Sequence, residues 1–246
     1  MDRSFAIASR DLLVAAGKKF HLGRLFLTAG PIVVFLVAFF GVLGRVMLLA
    51  TGRSSTQPAN RTTFTLLTID LSTFPVLATE RLVLRQLHPS DADRMFAMRS
   101  DPRVMEHVDR PLAKTIEDAS ALIDLINTMV AANDAVQWAI TLKGYDEFIG
   151  LIGFWRIVKE HHYGELGYML AHEHWGKGYI SEAIGALFPF GFNTLGLHRI
   201  EAITRPENVA SIRALEKNGF VCEAHFKENI FWNGTFHDSL HFGRLA

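Results

Sequence analysis

The sequence has almost no cysteine, with one residue, Cys222, in a chain of 246. A lone cysteine excludes an intramolecular disulfide and a cysteine-rich zinc site. A catalytic thiol would need an activating environment and a base nearby. Cys222 instead ends an apolar, strand-like stretch that begins at Gly219, so we expect it to be a small, buried hydrophobic side chain.

The chain also lacks an excess of charge of either sign, because 25 Lys and Arg residues balance 25 Asp and Glu residues. No global basic field is therefore available to hold nucleic acid, and we expect no nucleic-acid partner. Apolar residues make up 49% of the chain, which is enough for a sizeable core. The length fits one ordinary domain plus an extension.

Charge is absent altogether from residues 25–44, a run that reads LFLTAGPIVVFLVAFFGVLG. This run has about the length that a helix needs to cross a bilayer, and it exceeds the core of a typical signal peptide. We read residues 1–50 as an N-terminal extension. Its apolar segment is a membrane anchor, a helix packed on the following domain, or an extension without a physiological role. Residues 51–76, rich in Ser, Thr, Pro and Asn, are predicted to be a linker.

From residue 77 to residue 246, alternating and helical apolar patterns predict an α/β domain with the order β-α-α-β-β-β-α-β-α-β-β. The predicted strands lie at residues 81–85, 137–142, 148–156, 163–170 and 199–204, and on both sides of the turn Asn233-Gly234. The predicted helices lie at residues 92–99, 115–132, 180–193 and 208–218.

The stretch from Glu165 to Glu182, ELGYMLAHEHWGKGYISE, contains a strand end, a loop with Gly176 and Gly178, and the start of a helix. Glycines let the backbone approach a ligand closely, and the amides and dipole of a helix N-terminus attract an anion. The loop therefore suits a pyrophosphate, although an ordinary helix-start loop also fits two glycines. The third glycine of the dinucleotide pattern and the Gly-Lys-Ser/Thr of a P-loop are both missing.

Motifs spaced along the whole domain accompany this loop. They are Thr79-Glu80-Arg81-Leu82, Gly150-Leu-Ile-Gly153, Glu165-Leu-Gly-Tyr168, Trp175-Gly-Lys-Gly178, Glu182-Ala183, Asn208-x-x-Ser211, Glu216-Lys-Asn-Gly-Phe220 and Asn233-Gly234…Asp238. In this order they resemble the GNAT acetyltransferases, and specifically the RimJ/RimL-like branch that acetylates the N-termini of ribosomal proteins.

The resemblance implies a GNAT fold, a mostly antiparallel mixed sheet flanked by helices, and acetyl-CoA as co-substrate. It implies that the strand Tyr168-Met169-Leu170 splays from its neighbour and pairs with the pantetheine arm. It implies that Asn208 and Ser211 lie near the thioester sulfur. The residues that it assigns to the pyrophosphate are Trp175, Gly176, Lys177, Gly178, Tyr179, Ile180 and Ser181.

The sequence departs from the family at three positions. Glu173 stands where many members have Arg or Gln, and an acid there is unhelpful to a pyrophosphate unless it points outward. Leu215 replaces the tyrosine that many members use as an acid catalyst. Ile230 stands where some members have a glutamate, and Glu228, two residues earlier, would face the same side of a regular strand.

The reaction that we expect is direct acetyl transfer to a primary amine, of which the RimJ/RimL-like motifs favour the N-terminal α-amine of a peptide or protein. The alternatives are a small amine, such as an antibiotic, polyamine or amino acid, and a non-catalytic acyl-CoA-binding module. Glu165 or Glu228 is the candidate base, and Glu165 alternatively is an exposed strand-end charge. Ser211 would protonate the leaving thiolate, or else only satisfy the first turn of its helix.

The remaining histidine and aromatic residues are predicted to have structural rather than catalytic roles. His161, His162, His172 and His174 lack the spacing of a metal motif, so we expect loop histidines and no metal. Trp138, Phe154 and Trp155 are expected in the core. Because it needs acetyl-CoA, the catalytic domain is expected in the cytoplasm. Five basic residues before the apolar run against three after it favour a cytoplasmic N-terminus, and a single membrane span would then place the catalytic domain on the other side. Either the N-terminus lies outside or the apolar segment does not span.

Overall fold

A mixed eight-stranded sheet organises residues 66–246, the part of the chain that the computed structural model describes. The strand order is β1-β2-β3-β4-β5-β6-β8-β7, in which β5 and β6 pair in parallel and every other neighbouring pair is antiparallel. The strands are β1 (Leu77–Ala78), β2 (Leu82–Arg85), β3 (Val136–Leu142), β4 (Phe148–Val158), β5 (Tyr163–Leu170), β6 (Arg199–Thr204), β7 (Val221–Trp232) and β8 (Thr235–Leu245). The expected mostly antiparallel α/β sheet is confirmed, and the short β1 adds an eighth strand.

Five α-helices accompany the strands within the described part of the chain. They are α1 (Ala92–Arg99), α2 (Pro102–Met105), α3 (Ile116–Ala131), α4 (Tyr179–Phe188) and α5 (Val209–Lys217). The long α3 begins at a capping box, in which the Thr115 hydroxyl accepts from the amide of Asp118 and the Asp118 carboxylate accepts from the amide of Thr115. Two reciprocal cap bonds satisfy amides that the helix leaves free, so the predicted start of this helix holds within one residue.

Helix α4 is shorter than the sequence pattern predicts. It ends at Phe188, and residues Pro189–Thr194 continue as a π-helical turn. Proline has no backbone N–H and its ring crowds the preceding turn, so regular α-helical bonding is interrupted at Pro189. Phe190 of this turn and Leu195, which follows it, remain buried in the core.

The segment 66–76 packs on the domain, and the predicted linker is therefore too long at its C-terminal end. Ile69 and Leu71 are buried, and the Leu71 amide donates to the Asn133 side chain at 2.8 Å. The Trp138 indole donates to the Pro75 carbonyl at 2.7 Å. Apolar residues at alternate positions from Leu67 onward could have indicated that this segment packs on the domain, but the polar residues between them favoured a linker. Residues 51–65 and the N-terminal extension 1–50 lie outside the described residues, as does its apolar segment 25–44.

Two side chains lie closer to solvent than the sequence suggests. Cys222 is exposed, because β7 is the end strand of the described sheet, paired there with β8 alone, and most of its side chains face water. Trp155 is exposed, unlike the fully buried Trp138 and Phe154, because it is the extra residue of a β-bulge in β4. Among residues 66–246, no helix combines the length and apolarity that a bilayer crossing requires.

Candidate active site

The sheet opens between β5 and β6. Their parallel pairing covers only Tyr163 to Glu165 on β5 and Arg199 to Glu201 on β6. Beyond these residues β5 runs on to Leu170 without β6 as a partner, while its other edge stays paired with β4. The backbone groups of residues 166–170 that face the opening are left for a ligand of extended shape, which would join the sheet as an added strand. The predicted splay at Tyr168, Met169 and Leu170 lies in this opening.

A glycine turn follows the open strand. Gly176 and Gly178 both have left-handed backbone conformations, with φ of +72° and +79°, which side chains with a Cβ rarely adopt. Among the residues that the structure describes, none has an atom within 4 Å of a Cβ built at Gly176, which leaves room there for a ligand. Gly178 is the N-cap residue of α4. The free amides of the first turn of α4 and the positive end of its dipole therefore lie at the end of the turn, as an anion site requires.

Arg81 holds this turn from β2's side of the sheet. Its guanidinium donates to the Glu182 carboxylate through Nε at 2.7 Å and to the Lys177 carbonyl at 3.0 Å, and it lies over the Tyr179 ring. The Thr79 hydroxyl and the Arg81 amide also donate to Glu182. Partial burial acts to raise the pKa of Glu182, but these hydrogen bonds lower it below its ordinary value.

The Thr79–Leu82 motif and Glu182 both belong to the motifs that carry the family resemblance, but neither was predicted to take part in the cofactor site. The structure joins them, so their co-occurrence was the signal that could have identified Arg81.

The other predicted loop residues surround the turn. The Trp175 indole donates to the Leu170 carbonyl at 2.8 Å, which ties the loop to the end of the open strand. The Lys177 side chain is exposed, and Ile180 packs against the core. The Ser181 hydroxyl accepts from the side-chain amide of Asn218 at 2.9 Å, which joins α4 to the end of α5.

Glu173 points away from the turn. Its carboxylate forms an ion pair with Arg94 of α1 at 3.3 Å. Arg94 also pairs with Glu147, on the loop before β4. The acid at this departure from the family pattern is therefore engaged by a cation on another element. Repulsion of a pyrophosphate by Glu173 is correspondingly reduced.

A hydroxyl pair lies beside the opening. Asn208 caps α5, accepting from the Ser211 amide at 3.1 Å, so the cap uses the backbone of Ser211 and leaves its hydroxyl free. That hydroxyl is 2.7 Å from the hydroxyl of Tyr168 on β5. Burial raises the pKa of Tyr168 to about 12, against a smaller lowering by the bond to Ser211. Leu215, where many relatives have tyrosine, is completely buried.

Glu165 is a buried carboxylate on the opposite face of β5. Strand residues three positions apart face opposite sides, and β5 is paired without a bulge of its own. Glu165 therefore points away from the face of Tyr168 and pairs with Arg156 at 3.2 Å. Burial raises its pKa, which the Arg156 charge opposes and the Glu201 charge reinforces. The reading of Glu165 as an exposed strand-end charge is wrong.

Glu228 lies in an irregular part of β7, so the sequence argument about its facing direction fails. The register shifts between Phe226 and Ile230, and Glu228 has a left-handed φ of +50°. Its amide donates to the Asp238 carboxylate at 2.9 Å, and its side chain is exposed. No contact within the described residues joins Glu228 to the Tyr168–Ser211 pair.

The predicted loop histidines show no sign of a metal centre in the described part of the chain. Within residues 66–246, no cluster of three or more His, Cys, Asp or Glu side chains could hold a metal ion. His172 and His174 lie in a short 3-10 turn before the glycine turn, where they pack against the Trp175 and Tyr179 rings.

An open strand pair that leads to a glycine turn at a helix N-terminus suits an acyltransferase that uses a pantetheine thioester, as the resemblance implies. Comparison with known families agrees, because residues 81–221 match the acetyltransferase (GNAT) domain model. The chain belongs to this family and is an N-acetyltransferase.

Individual relatives span most of this domain. An uncharacterized N-acetyltransferase, YoaA of Bacillus subtilis, is 36% identical over 68% of this chain and 94% of its own length. The [ribosomal protein uS5]-alanine N-acetyltransferase of Escherichia coli is 28% identical over 67% of this chain and 87% of its own. The spermidine N(1)-acetyltransferase of Vibrio cholerae is 27% identical over 64% of this chain and 89% of its own.

Solved structures show the same fold. A GNAT-family acetyltransferase from Bacillus anthracis is 29% identical, with a TM-score of 0.63 over 70% of this chain and 98% of its own. The ribosomal L7/L12 α-N-protein acetyltransferase RimL, solved with coenzyme A, is 20% identical, with a TM-score of 0.65 over 70% of this chain and 98% of its own. At that identity the second likeness concerns the fold alone.

Proposed function

We propose that this enzyme acetylates the N-terminal α-amine of a peptide or protein with acetyl-CoA, using the Tyr168–Ser211 pair. The observation that best supports this proposal is the position of the Tyr168–Ser211 hydroxyl pair. Tyr168 lies on the strand whose free edge suits pantetheine, two residues before Leu170, which the glycine-turn residue Trp175 contacts. A proton donor is thereby available where the thioester end of the arm would lie.

The residues of the opening and the turn fit acetyl-CoA. Backbone groups of Tyr168 and Leu170 would pair with the pantetheine amides, because they face the opening while those of Met169 between them face β4. The Leu170 carbonyl would keep its bond from the Trp175 indole, and residues 175–181 would hold the pyrophosphate. Both left-handed glycines support this assignment, because a Cβ would fill the space at the turn or strain it. When bound, the co-substrate supplies an activated acetyl group. Every proton movement in the transfer is left to the protein and to water.

Ser211 is the proposed donor to the departing thiolate, and Tyr168 is the proposed positioning residue. A tyrosine whose pKa is raised to about 12 keeps its proton at neutral pH. It can donate that proton to the Ser211 oxygen, which leaves the Ser211 O–H to donate toward the sulfur. Ser211 also lies in the first turn of α5, where the helix dipole favours developing negative charge.

Glu165 is the proposed base that accepts a proton from the incoming ammonium. Glu165 is the last residue of β5 that pairs with β6, so its carboxylate lies where the opening begins, on the opposite face of β5 from Tyr168. The ammonium would give one proton to Glu165 and attack as the neutral amine. The second proton, which the nitrogen loses as the amide forms, would replace through water the proton that Ser211 gives to the thiolate. A buried carboxylate of raised pKa is a stronger base than an exposed one. The Glu228 side chain is exposed and, among the described residues, has no ion pair that would hold it toward the opening.

The charge around the neighbouring cleft favours a peptide over a polyamine. A cleft of about 560 Å³ lies between residues 102–114 and the tip of the β7–β8 hairpin. Its lining contains Arg110, Lys114 and Arg205 but, among the described residues, only one carboxylate, that of Glu106. A polyamine site requires the reverse balance of charge. Spermidine, the acceptor named for one relative, is therefore not the acceptor that we propose for this chain.

The acceptor is tested with synthetic peptides that carry one lysine and either a free or a blocked α-amine, with spermidine as a third acceptor. Mass spectrometry after incubation with acetyl-CoA should find the acetyl group on the free α-amine alone. Acetylation of lysine in blocked peptides, or a preference for spermidine over every peptide, would contradict the proposal.

A further inference from the structure

The cleft beside the hairpin tip combines an apolar wall with unpaired positive charge. Pro102, Met105, Pro111, Leu112 and Trp232 supply apolar surface. The side chains of Arg110 and Lys114 are exposed, and within residues 66–246 neither forms an ion pair with a carboxylate. Both side chains can therefore reach a bound carboxylate, although the Asp118 carboxylate lies near enough to Lys114 to interact with its charge.

Arg205 fixes the cationic side of the cleft. It is only 8% exposed, and its guanidinium is bound by the Asp109 carboxylate, which joins the 102–114 segment to the end of β6. Its Nε is buried and has no hydrogen-bond partner among the described residues. The Asp109 carboxylate offsets the Arg205 charge, but the buried Nε–H remains a hydrogen-bond donor without a partner among the described residues, on a side chain that lines the cleft.

The cleft adjoins the proposed catalytic pair through the backbone. Arg205 follows directly after β6, and its carbonyl accepts from the amide of Asn208 at 3.1 Å. Asn208 in turn caps α5, whose first turn carries Ser211. The cleft thus lies at the end of the sheet where β6 has separated from β5, which is where an acceptor amine has to arrive.

We infer that this cleft selects acceptors with a carboxylate close to the reacting amine, namely peptides whose first few residues include Asp or Glu. This inference rests on the proposed function, because it assumes a peptide acceptor. Arg110 and Lys114 attract the carboxylate, while the apolar wall takes the neighbouring side chain. The same positive charges disfavour the ammonium form of the acceptor, which lowers its pKa and increases the fraction of nucleophilic amine.

The inference is tested with four peptides that have a free α-amine and differ only at the second and third positions, as Asp-Asp, Asn-Asn, Gln-Gln or Lys-Lys. Steady-state acetylation is measured at low and high salt with the wild-type chain, with Arg110→Gln/Lys114→Gln, and with the control Lys143→Gln/Lys217→Gln. Free aspartate, tested beside them, represents a small acidic amine.

The wild-type enzyme and the control should favour the Asp peptide over the Asn peptide by about tenfold in kcat/KM, mainly through KM, as two partly exposed ion pairs would supply. Salt should reduce this preference, and the Arg110→Gln/Lys114→Gln variant should lose it. Equal rates for all four peptides, or an Asp preference that survives in that variant, would overturn the inference while leaving α-amine acetylation intact. Acetylation of free aspartate but not of the Asp peptide would also overturn it. Absence of α-amine acetylation with lysine acetylated instead would contradict the proposed function itself.

Discussion

Tyr168 and Ser211 lie 43 residues apart in the chain, one on a strand and one on a helix, yet their hydroxyl oxygens are 2.7 Å apart. The bond crosses the end of the sheet opening, where β5 has left β6. Because Asn208 satisfies the first turn of α5 through the Ser211 amide, the Ser211 hydroxyl is not consumed by its own helix. This relationship favours a chemical role over a capping role for Ser211.

Tyr168→Phe removes the hydroxyl and keeps the ring. If Tyr168 positions Ser211, turnover should fall by roughly tenfold with KM for acetyl-CoA little changed, because the lost interaction orients a donor used in the transition state. Steady-state kinetics check this, with Tyr145→Phe, at an exposed hairpin tyrosine, as the matched control. A rise in KM at constant turnover would instead indicate a binding role.

Gly178→Val places a β-branched side chain at a left-handed position next to the Arg81 guanidinium, which a Cβ would approach to 3.6 Å. Affinity for acetyl-CoA should fall by at least about tenfold, or about 1.4 kcal/mol. Gly144→Val is the matched control, since Gly144 has φ of +88° with open space around it in a remote hairpin turn. Calorimetry should find weak binding in the first variant only, and equal affinities would refute the pyrophosphate assignment.

Arg81→Ala tests the clamp on the glycine turn. Without the bonds to Glu182 and Lys177, the turn loses its fixed conformation, so binding acetyl-CoA must also order it. We expect a loss of affinity of about three- to tenfold with turnover at saturation largely retained. Isothermal titration of Arg81→Ala beside Lys217→Ala would show this, and unchanged affinity would leave Arg81 with a purely structural part.

Glu165→Gln tests the proposed base through pH. A base acts as the carboxylate, so the rate should fall as pH drops through a pKa raised above 4.5 by burial, and the variant should lose this limb. The effect of pH on the free energy of unfolding has the opposite direction to its effect on the rate. A raised pKa in the folded state stabilises the fold below the unfolded pKa, and this contribution disappears as pH rises through the folded pKa.

At neutral pH the Glu165→Gln variant should therefore stay folded, and loss of activity can be assigned to chemistry. Chemical denaturation at pH 7 checks that the variant unfolds as cooperatively as the wild-type chain. A rate profile whose acid limb is unchanged in the variant would remove Glu165 as the base.

The sequence predicted the elements that local patterns determine. Alternation located most strands, the Thr115 cap located α3, and the two glycines located the turn before α4. What it missed depends on long-range packing. The approach of Arg81 to Glu182 spans 101 residues, the bulge turns Trp155 outward, and the irregular register at Glu228 changes its direction. No periodicity encodes these contacts, although the Thr79–Leu82 motif and Glu182 were both visible.

The most direct test of the proposed site is the single-turnover rate of Ser211→Ala at saturating acetyl-CoA with a free-α-amine peptide, measured beside its unfolding curve. If Ser211 donates to the thiolate, the chemical rate should fall by roughly ten- to a thousandfold, while cofactor affinity and the Asn208 cap should be little changed because the cap uses the Ser211 backbone. A capping role would instead lower the free energy of unfolding by about 1 kcal/mol and leave the rate of the folded enzyme near normal. An unchanged chemical rate would contradict the assignment of Ser211 and of the hydroxyl pair to acetyl transfer.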